Sequence, residues 1–188
     1  MHRLLVKPTV EYLQSYRSAL ERGWSPDNVN GRKTALAQLE KIGANSDEFL
    51  ASLDDRGAEG GPITLPDGTQ FARLPGFVRW IWDGDFKGSI GFRWQRGTAA
   101  LPPHVLGHIG YAVVPWAEGR GYATRALAEM LDIARAEGLP HVEITTTPDN
   151  VSSQRVIEKN GGVLVEQFEK LAAYGGGRAL RYRVRLID

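Results

Sequence analysis

Apolar and polar positions change rhythm twice along the chain. In "TVEYLQSYRSALERG", Val10, Leu13, Tyr16, Arg17 and Leu20 follow helical spacing. This predicts a helix with Thr9 as N-cap and Gly23 as its stop. Leu36, Leu39 and Ile42 predict a second helix in "NGRKTALAQLEKIG", and "SDEFLASLDD" predicts a third with Ser46 as its cap. The preceding "HRLLVKP" reads as a short strand. Residues 57–76, rich in glycine and proline, read as an irregular loop or a pair of short strands.

The rhythm then shifts to period two. In "FVRWIWD", Val78, Trp80 and Trp82 share one face, with Arg79 and Asp83 on the other. "KGSIGFRWQ" is its expected neighbour, turned at Asp83–Gly84–Asp85. "HVLGHIGYAVVP" predicts a third strand, stopped by Pro115. After a glycine-containing loop, Ala123, Ala126, Leu127, Met130, Leu131 and Ala134 form one apolar stripe. That helix ends at Gly138–Leu139–Pro140. "HVEITTT" predicts a strand, "NVSSQRVIEKNGG" a short helix, and "VLVEQFEK" and "ALRYRVRLI" two last strands. Helices, a strand meander, then strand–helix–strand–helix–strand–strand make a mixed α/β or α+β sheet in one domain.

Composition narrows the chemistry. The 188 residues suit one domain with a proper core, and a net charge of +1 argues against a dedicated nucleic-acid binder. With no cysteine, disulfides, thiolate nucleophiles and cysteine-held metals are excluded. No apolar run approaches a membrane span, and the start shows no leader pattern, so the expectation is a cytoplasmic protein with no membrane partner.

"EGRGYAT" places two glycines where a helix must begin, although helix-interior glycine costs about 0.5–1 kcal/mol relative to alanine. The first four N–H groups of a helix lack internal partners, and the dipole adds positive charge there. Bare backbone at Gly119 and Gly121 lets an anion reach those donors, and Arg120 adds a cation. A Walker loop fails because Tyr122 follows Gly121. A dinucleotide fingerprint fits poorly, since Thr124 stands at the third glycine.

The stretch "GHIGYAVVPWAEGRGYATRALAEMLDIARAEGL", with "VEITTTPDNVSSQRVIEKNGG" after it, resembles the GNAT superfamily of acetyl-CoA-dependent N-acetyltransferases. Residues 118–123, "EGRGYA", match that family's Arg/Gln-x-x-Gly-x-Gly/Ala loop, except that Glu118 replaces the first residue. Asn150 and the Glu158-x-x-Gly161 that closes the next helix match its second motif. The resemblance covers residues 77–188 in order of elements; residues 1–76 would be the variable helical part of a single 1–188 domain. It implies a central, mostly antiparallel sheet with one splayed parallel strand pair, flanked by helices. It further implies acetyl-CoA as cosubstrate, no metal, a small-molecule or peptide amine as acceptor, and direct transfer in a ternary complex. A non-catalytic acyl-CoA-binding module is the alternative, and a homodimer is in keeping with either.

By this resemblance, backbone groups of Tyr111, Ala112 and Val113 hold the pantetheine arm. Gly119, Arg120, Gly121, Tyr122, Ala123 and Thr124 wrap the pyrophosphate. Asn150 and Ser153 meet the arm from the opposite side, unless Asn150 only caps its helix. The chemistry requires a base or a water chain for the ammonium and a donor for the developing oxyanion, for which the Val113 N–H stands. His108 and Tyr111 are the base candidates; three apart on a strand, only one should face the cleft. His104 and Glu143 are further possibilities. Ile157 stands seven residues after Asn150, where many members keep an acidic tyrosine. Trp80, Trp82 and Trp94 read as core or as an acceptor wall; Arg181, Arg183 and Arg185 read as a solvated face or an anion-binding one.

Overall fold

A computed structural model describes residues 3–65 and 68–187. The chain runs β1 (Leu5–Val6), α1 (Val10–Glu21), α2 (Arg32–Ala44), α3 (Ser46–Ser52), β2 (Asp54–Asp55), β3 (Ile63–Thr64), β4 (Gln70–Phe71), β5 (Gly76–Trp82), β6 (Phe86–Arg93) and β7 (Ile109–Val113). It continues through α4 (Tyr122–Ala136), β8 (His141–Thr146), α5 (Val151–Lys159), β9 (Val163–Glu169) and β10 (Arg178–Arg185). His2, at the start of the first predicted strand, and Pro66 and Asp67, inside the glycine-rich segment, lie outside the described residues. That segment holds a pair of two-residue strands, β3 with β4.

Two antiparallel sheets carry the fold. One has the order β1-β5-β6-β7, with β2 also on β5; the other has the order β8-β10-β9. The alternation in β5 sorts its two faces. Trp80 is fully buried with Tyr16 stacked on it at 4.5 Å, in a cluster that includes Leu13, Leu20, Phe49 and Phe86. Ile81 and Phe77 face the other way, into the cluster formed with α4. Trp94 joins this second cluster, so the tryptophan row is split between two cores. In α4 the apolar stripe buries Ala126, Leu127, Met130, Leu131 and Ala134. Burial of each large side chain there contributes roughly 1.5–3 kcal/mol. Glu129, on the same helix, accepts the backbone N–H groups of Leu4 at 2.8 Å and Leu5 at 3.0 Å. It thereby fixes the edge strand β1 to α4.

Three local expectations are corrected. The segment His104–Gly107 is not strand: β7 begins at Ile109. There Tyr174 Oη donates to the His104 carbonyl at 2.6 Å, and His104 stacks on Phe71 at 3.8 Å, so loop contacts replace a ladder. Asn45, not Ser46, caps α3, because its side chain accepts from Glu48 N–H at 3.1 Å. Thr9 stands at the N-cap of α1 but makes no side-chain cap bond.

Among the described residues, no helix is long and apolar enough to cross a membrane, and no group of three or more His, Asp or Glu side chains is placed to hold a metal.

Candidate active site

β7 and β8, the strands before and after α4, are bridged just ahead of β7 and at the third residue of β8. His108 N–H donates to the Glu143 carbonyl at 2.7 Å, and Glu143 N–H donates back to Nδ1 of His108 at 2.9 Å. No ladder joins the two strands, which belong to different sheets. Val114 N–H donates to Lys87 O and Arg93 N–H to His108 O, so the even-numbered residues of β7 face β6. Alternation then turns the backbone groups of Tyr111 and Val113 toward the gap.

The other end of the gap is the start of α4. Gly119 and Gly121 have φ of +72° and +79°, a left-handed conformation that side-chain-bearing residues avoid. Gly121 is the N-cap and supplies no side-chain acceptor; the helix bonding starts with Arg125 N–H on the Gly121 carbonyl. The N–H groups of residues 119–124 thus have no acceptor among the described residues. Six consecutive free donors at a helix start fit an anion of pyrophosphate size. Tyr122 packs against both cores, and its hydroxyl donates to Asp83 Oδ2 at 2.7 Å, which ties the loop to the β5–β6 turn. Asp83 was legible only as a turn residue.

From across the gap, Ser153 of α5 meets Tyr111: the two hydroxyls lie 2.9 Å apart. Burial pushes the Tyr111 phenol up to about 12 despite the hydrogen bond to Ser153. Asn150 caps α5 through Oδ1, which accepts from Ser153 N–H at 3.0 Å. Ala112 packs against the α1 cluster beside Val113. Arg120 lies close enough to the Tyr122 phenol to act on it electrostatically.

His108 stands elsewhere than a base would. Its side chain is fully buried, Nδ1 is occupied by Glu143 N–H, and Nε2 has no partner among the described residues. Burial pushes its pKa down to about 4, more than the nearby Glu143 can offset. The ring is neutral, carries its proton on Nε2, and clamps the point where the strands part. Glu143 is equally committed: its oxygens accept from Arg181 at 3.0 Å and from Arg183 at 2.7 Å, and these partners hold its carboxyl below its ordinary value against the effect of burial. Arg181 also pairs with Glu166 at 2.7 Å. Two of the three arginines on this face of β10, Arg181 and Arg183, are therefore engaged by Glu143 and Glu166, while Arg185 is exposed. A surface cavity of about 740 Å³ beside this face, lined by Leu101, Val105, His141, Glu143, Arg181 and Arg183 among others, shares no lining with residues 111–124 or 150–153. Ile157 is wholly buried in the α4 cluster, and a Cβ on Gly162 would lie 2.3 Å from its Cγ2. The side chain at the position where many members keep a tyrosine is thus part of the core and offers no proton.

The His108 clamp predicts an acid-sensitive fold. Unfolded histidine binds its proton below about pH 6.5, whereas the folded ring binds it only below about 4. Between these values the unfolded chain holds more protons, so stability falls as pH falls, levels off below pH 4, and is unaffected above 6.5. Urea unfolding at pH 7 and pH 5 should show a loss of about 2 kcal/mol from this group. His108→Asn, which keeps an acceptor for Glu143 N–H, should lose that part of the difference. An equal difference in both proteins would remove the clamp from the account.

Comparisons with known proteins bear on the family and the fold. Residues 54–163, more than half of the chain, match the family model of the acetyltransferase (GNAT) domain. No curated protein matches by sequence. Among solved structures, the microcin C7 self-immunity acetyltransferase MccE, in complex with acetyl-CoA and AMP, superposes with a TM-score of 0.63 at 13% identity, over 96% of this chain and 91% of that one. RimJ of Mycobacterium smegmatis, in complex with CoA-disulfide, gives 0.64 at 17%, over 96% and 80%. The yncA protein of Salmonella typhimurium, a putative acetyltransferase with its cofactor acetyl-CoA, gives 0.56 at 16%, over 93% and 86%. At these identities the likeness is one of fold.

Proposed function

This chain belongs to the GNAT acetyltransferase family, and from that premise we propose that it moves an acetyl group from acetyl-CoA to a primary amine within a ternary complex. The observation that carries the reading is the row of six unpartnered N–H groups at residues 119–124, opening onto the free edge of β7. The N–H groups of Gly119, Arg120, Gly121, Tyr122, Ala123 and Thr124 hold the pyrophosphate, with the Arg120 guanidinium as an added cation. The backbone groups of Tyr111 and Val113, on the free edge of β7, take the arm, whereas those of Ala112 are spent on β6, against the expectation that all three residues would serve; Asn150 and Ser153 close the far side.

Acetyl-CoA supplies a thioester carbonyl, activated toward a neutral amine. Val113 N–H, turned into the gap, donates to the oxygen on which negative charge develops; such a donor is worth about 2.7–4 kcal/mol in enzymes that use one. The nitrogen–carbon bond forms as the carbon–sulfur bond breaks. The Tyr111 phenol, pushed up to about 12, keeps its proton at neutral pH and is a donor there, not a base. The Tyr111–Ser153 hydroxyl pair is thus suited to protonate the departing thiolate. Water takes the proton from the amine, since His108 and Glu143 are engaged elsewhere.

The test is a calorimetric titration of acetyl-CoA followed by a panel of primary amines with free thiol as the readout. Binding together with amine-dependent thiol release is expected. Absence of binding would overturn the assignment of residues 119–124.

A further inference from the structure

β9 is the last strand of the second sheet: in the order β8-β10-β9, no strand lies beyond it among the described residues. Lys170 N–H donates to the Gly177 carbonyl at 3.0 Å, so the backbone groups of residue 170 face β10. Alternation along the pairs Glu169–Arg178, Phe168–Ala179 and Gln167–Leu180 turns the N–H and C=O groups of Glu169 and Gln167 away from β10. The side chains are as bare as the backbone. Val163, Leu164 and Val165 are 66%, 43% and 47% exposed, and Leu171, just past the strand, is 49% exposed. Single exposed apolar residues are ordinary, but a run of them along an open edge marks a pairing surface. Glu166, Glu169 and Lys170 limit what that edge accepts, and so does a bulge: Tyr182 pairs with Leu164 and Arg181 with Glu166, which leaves Val165 unpaired.

The charges select the partner. Two antiparallel copies of β9 related by a two-fold axis must set outward-facing residues opposite each other, so the axis passes through a residue rather than between two. An axis at Glu166 or Glu169 sets a glutamate against itself, and one at Gln167 sets Val165 against Glu169. With the axis at Phe168, Gln167 and Glu169 of opposite copies exchange their outward N–H and C=O groups. Glu166 then meets Lys170 on each side of the axis, and Val165 meets Leu171. The Glu166–Lys170 and Phe168–Phe168 positions are the non-hydrogen-bonded ones, where facing side chains come closest. Arg181 takes only Oε2 of Glu166, which leaves Oε1 for the lysine. We propose that β9 pairs with β9 of a second copy in this register, so that the three-stranded sheets of two chains join across a two-fold axis. The pairing is isologous: it uses up both edges and closes at a dimer. It stands independently of the acetyl-transfer reading.

Sedimentation equilibrium on the whole chain tests the pairing. Wild type should be a dimer. Gln167→Pro should raise its dissociation constant about tenfold or more, because it removes an outward N–H, twice by symmetry, and leaves the bonds to β10 in place. Lys170→Glu and Glu166→Lys should each weaken the dimer by setting like charges opposite each other. An equimolar mixture of those two variants should associate again, since each contact in the mixed dimer brings opposite charges together; misfolding of either variant would not produce that rescue. Val10→Lys, at an exposed apolar residue of α1, should dimerise as wild type does. A wild type that stays monomeric at about 100 μM, far above the dissociation constants of specific interfaces, overturns the proposal. So does a dimer undiminished in Gln167→Pro, or a variant mixture that fails to associate.

Discussion

Gly121→Val is expected to remove most of the affinity for acetyl-CoA and to leave the fold in place. Gly121 holds φ at +79°, and nothing lies within 4 Å of the position a Cβ would take. The cost inside the free protein is therefore not a clash. It is the strain of a β-branched residue in the left-handed region, about 1–3 kcal/mol, which is relieved when the loop turns out of that conformation. Turning it redirects the N–H groups of Tyr122, Ala123 and Thr124. Each charge-assisted bond to a phosphate is worth about 1.5–3 kcal/mol, so losing two lowers affinity about 100-fold or more. Calorimetry on the variant, with a circular-dichroism melt as control, measures this. Unchanged affinity with an intact fold would take the loop out of the site.

Gly88→Ala is expected to be the most damaging small substitution in the fold. Gly88 pairs with Val113 at φ +154°, and a Cβ there would lie 2.3 Å from the Ala112 carbonyl oxygen and 2.9 Å from Val113 Cα. Both neighbours are backbone, so no side chain can swing away. Forced displacement in a packed interior costs about 1–3 kcal/mol, and the unfavourable φ adds to it. For a chain of this length, about 3 kcal/mol lowers Tm by roughly 6–12 °C. The displaced atoms belong to the edge of β7, so acetyl-CoA affinity should fall too. Gly91, three residues on, is the control: its nearest neighbour would be 3.7 Å from a Cβ, and Gly91→Ala should be nearly neutral. A Gly88→Ala protein melting within 2 °C of wild type would contradict the packing of β6 on β7 described above.

The parts of the molecule legible in its sequence are those governed by near neighbours. The stripe of α4 sets its own period, and all but Ala123 of its predicted core residues are fully buried. The two glycines declare a backbone need at their own positions, and both adopt it. Partners set far along the chain are another matter. Strand parity puts His108 and Tyr111 on opposite sides, but nothing local shows that Nδ1 of His108 would accept a hydrogen bond from the backbone N–H of residue 143. Ile157 has the right spacing from Asn150, yet helix rotation turns it into the core. The β7–β8 pair was expected as part of one sheet, and the splay is wide enough that two separate ladders result.

The most direct measurement follows the acetyl group itself. Wild-type protein is given acetyl-CoA labelled in its acetyl carbon, with and without a panel of primary amines, and the label is located by mass spectrometry while free thiol is counted. Label recovered as an amide of the amine, equal to the thiol released and absent without amine, with none left on the protein, is the predicted result. Tight acetyl-CoA binding with no label in any amine across a broad panel would contradict it and make the chain an acyl-CoA-binding module.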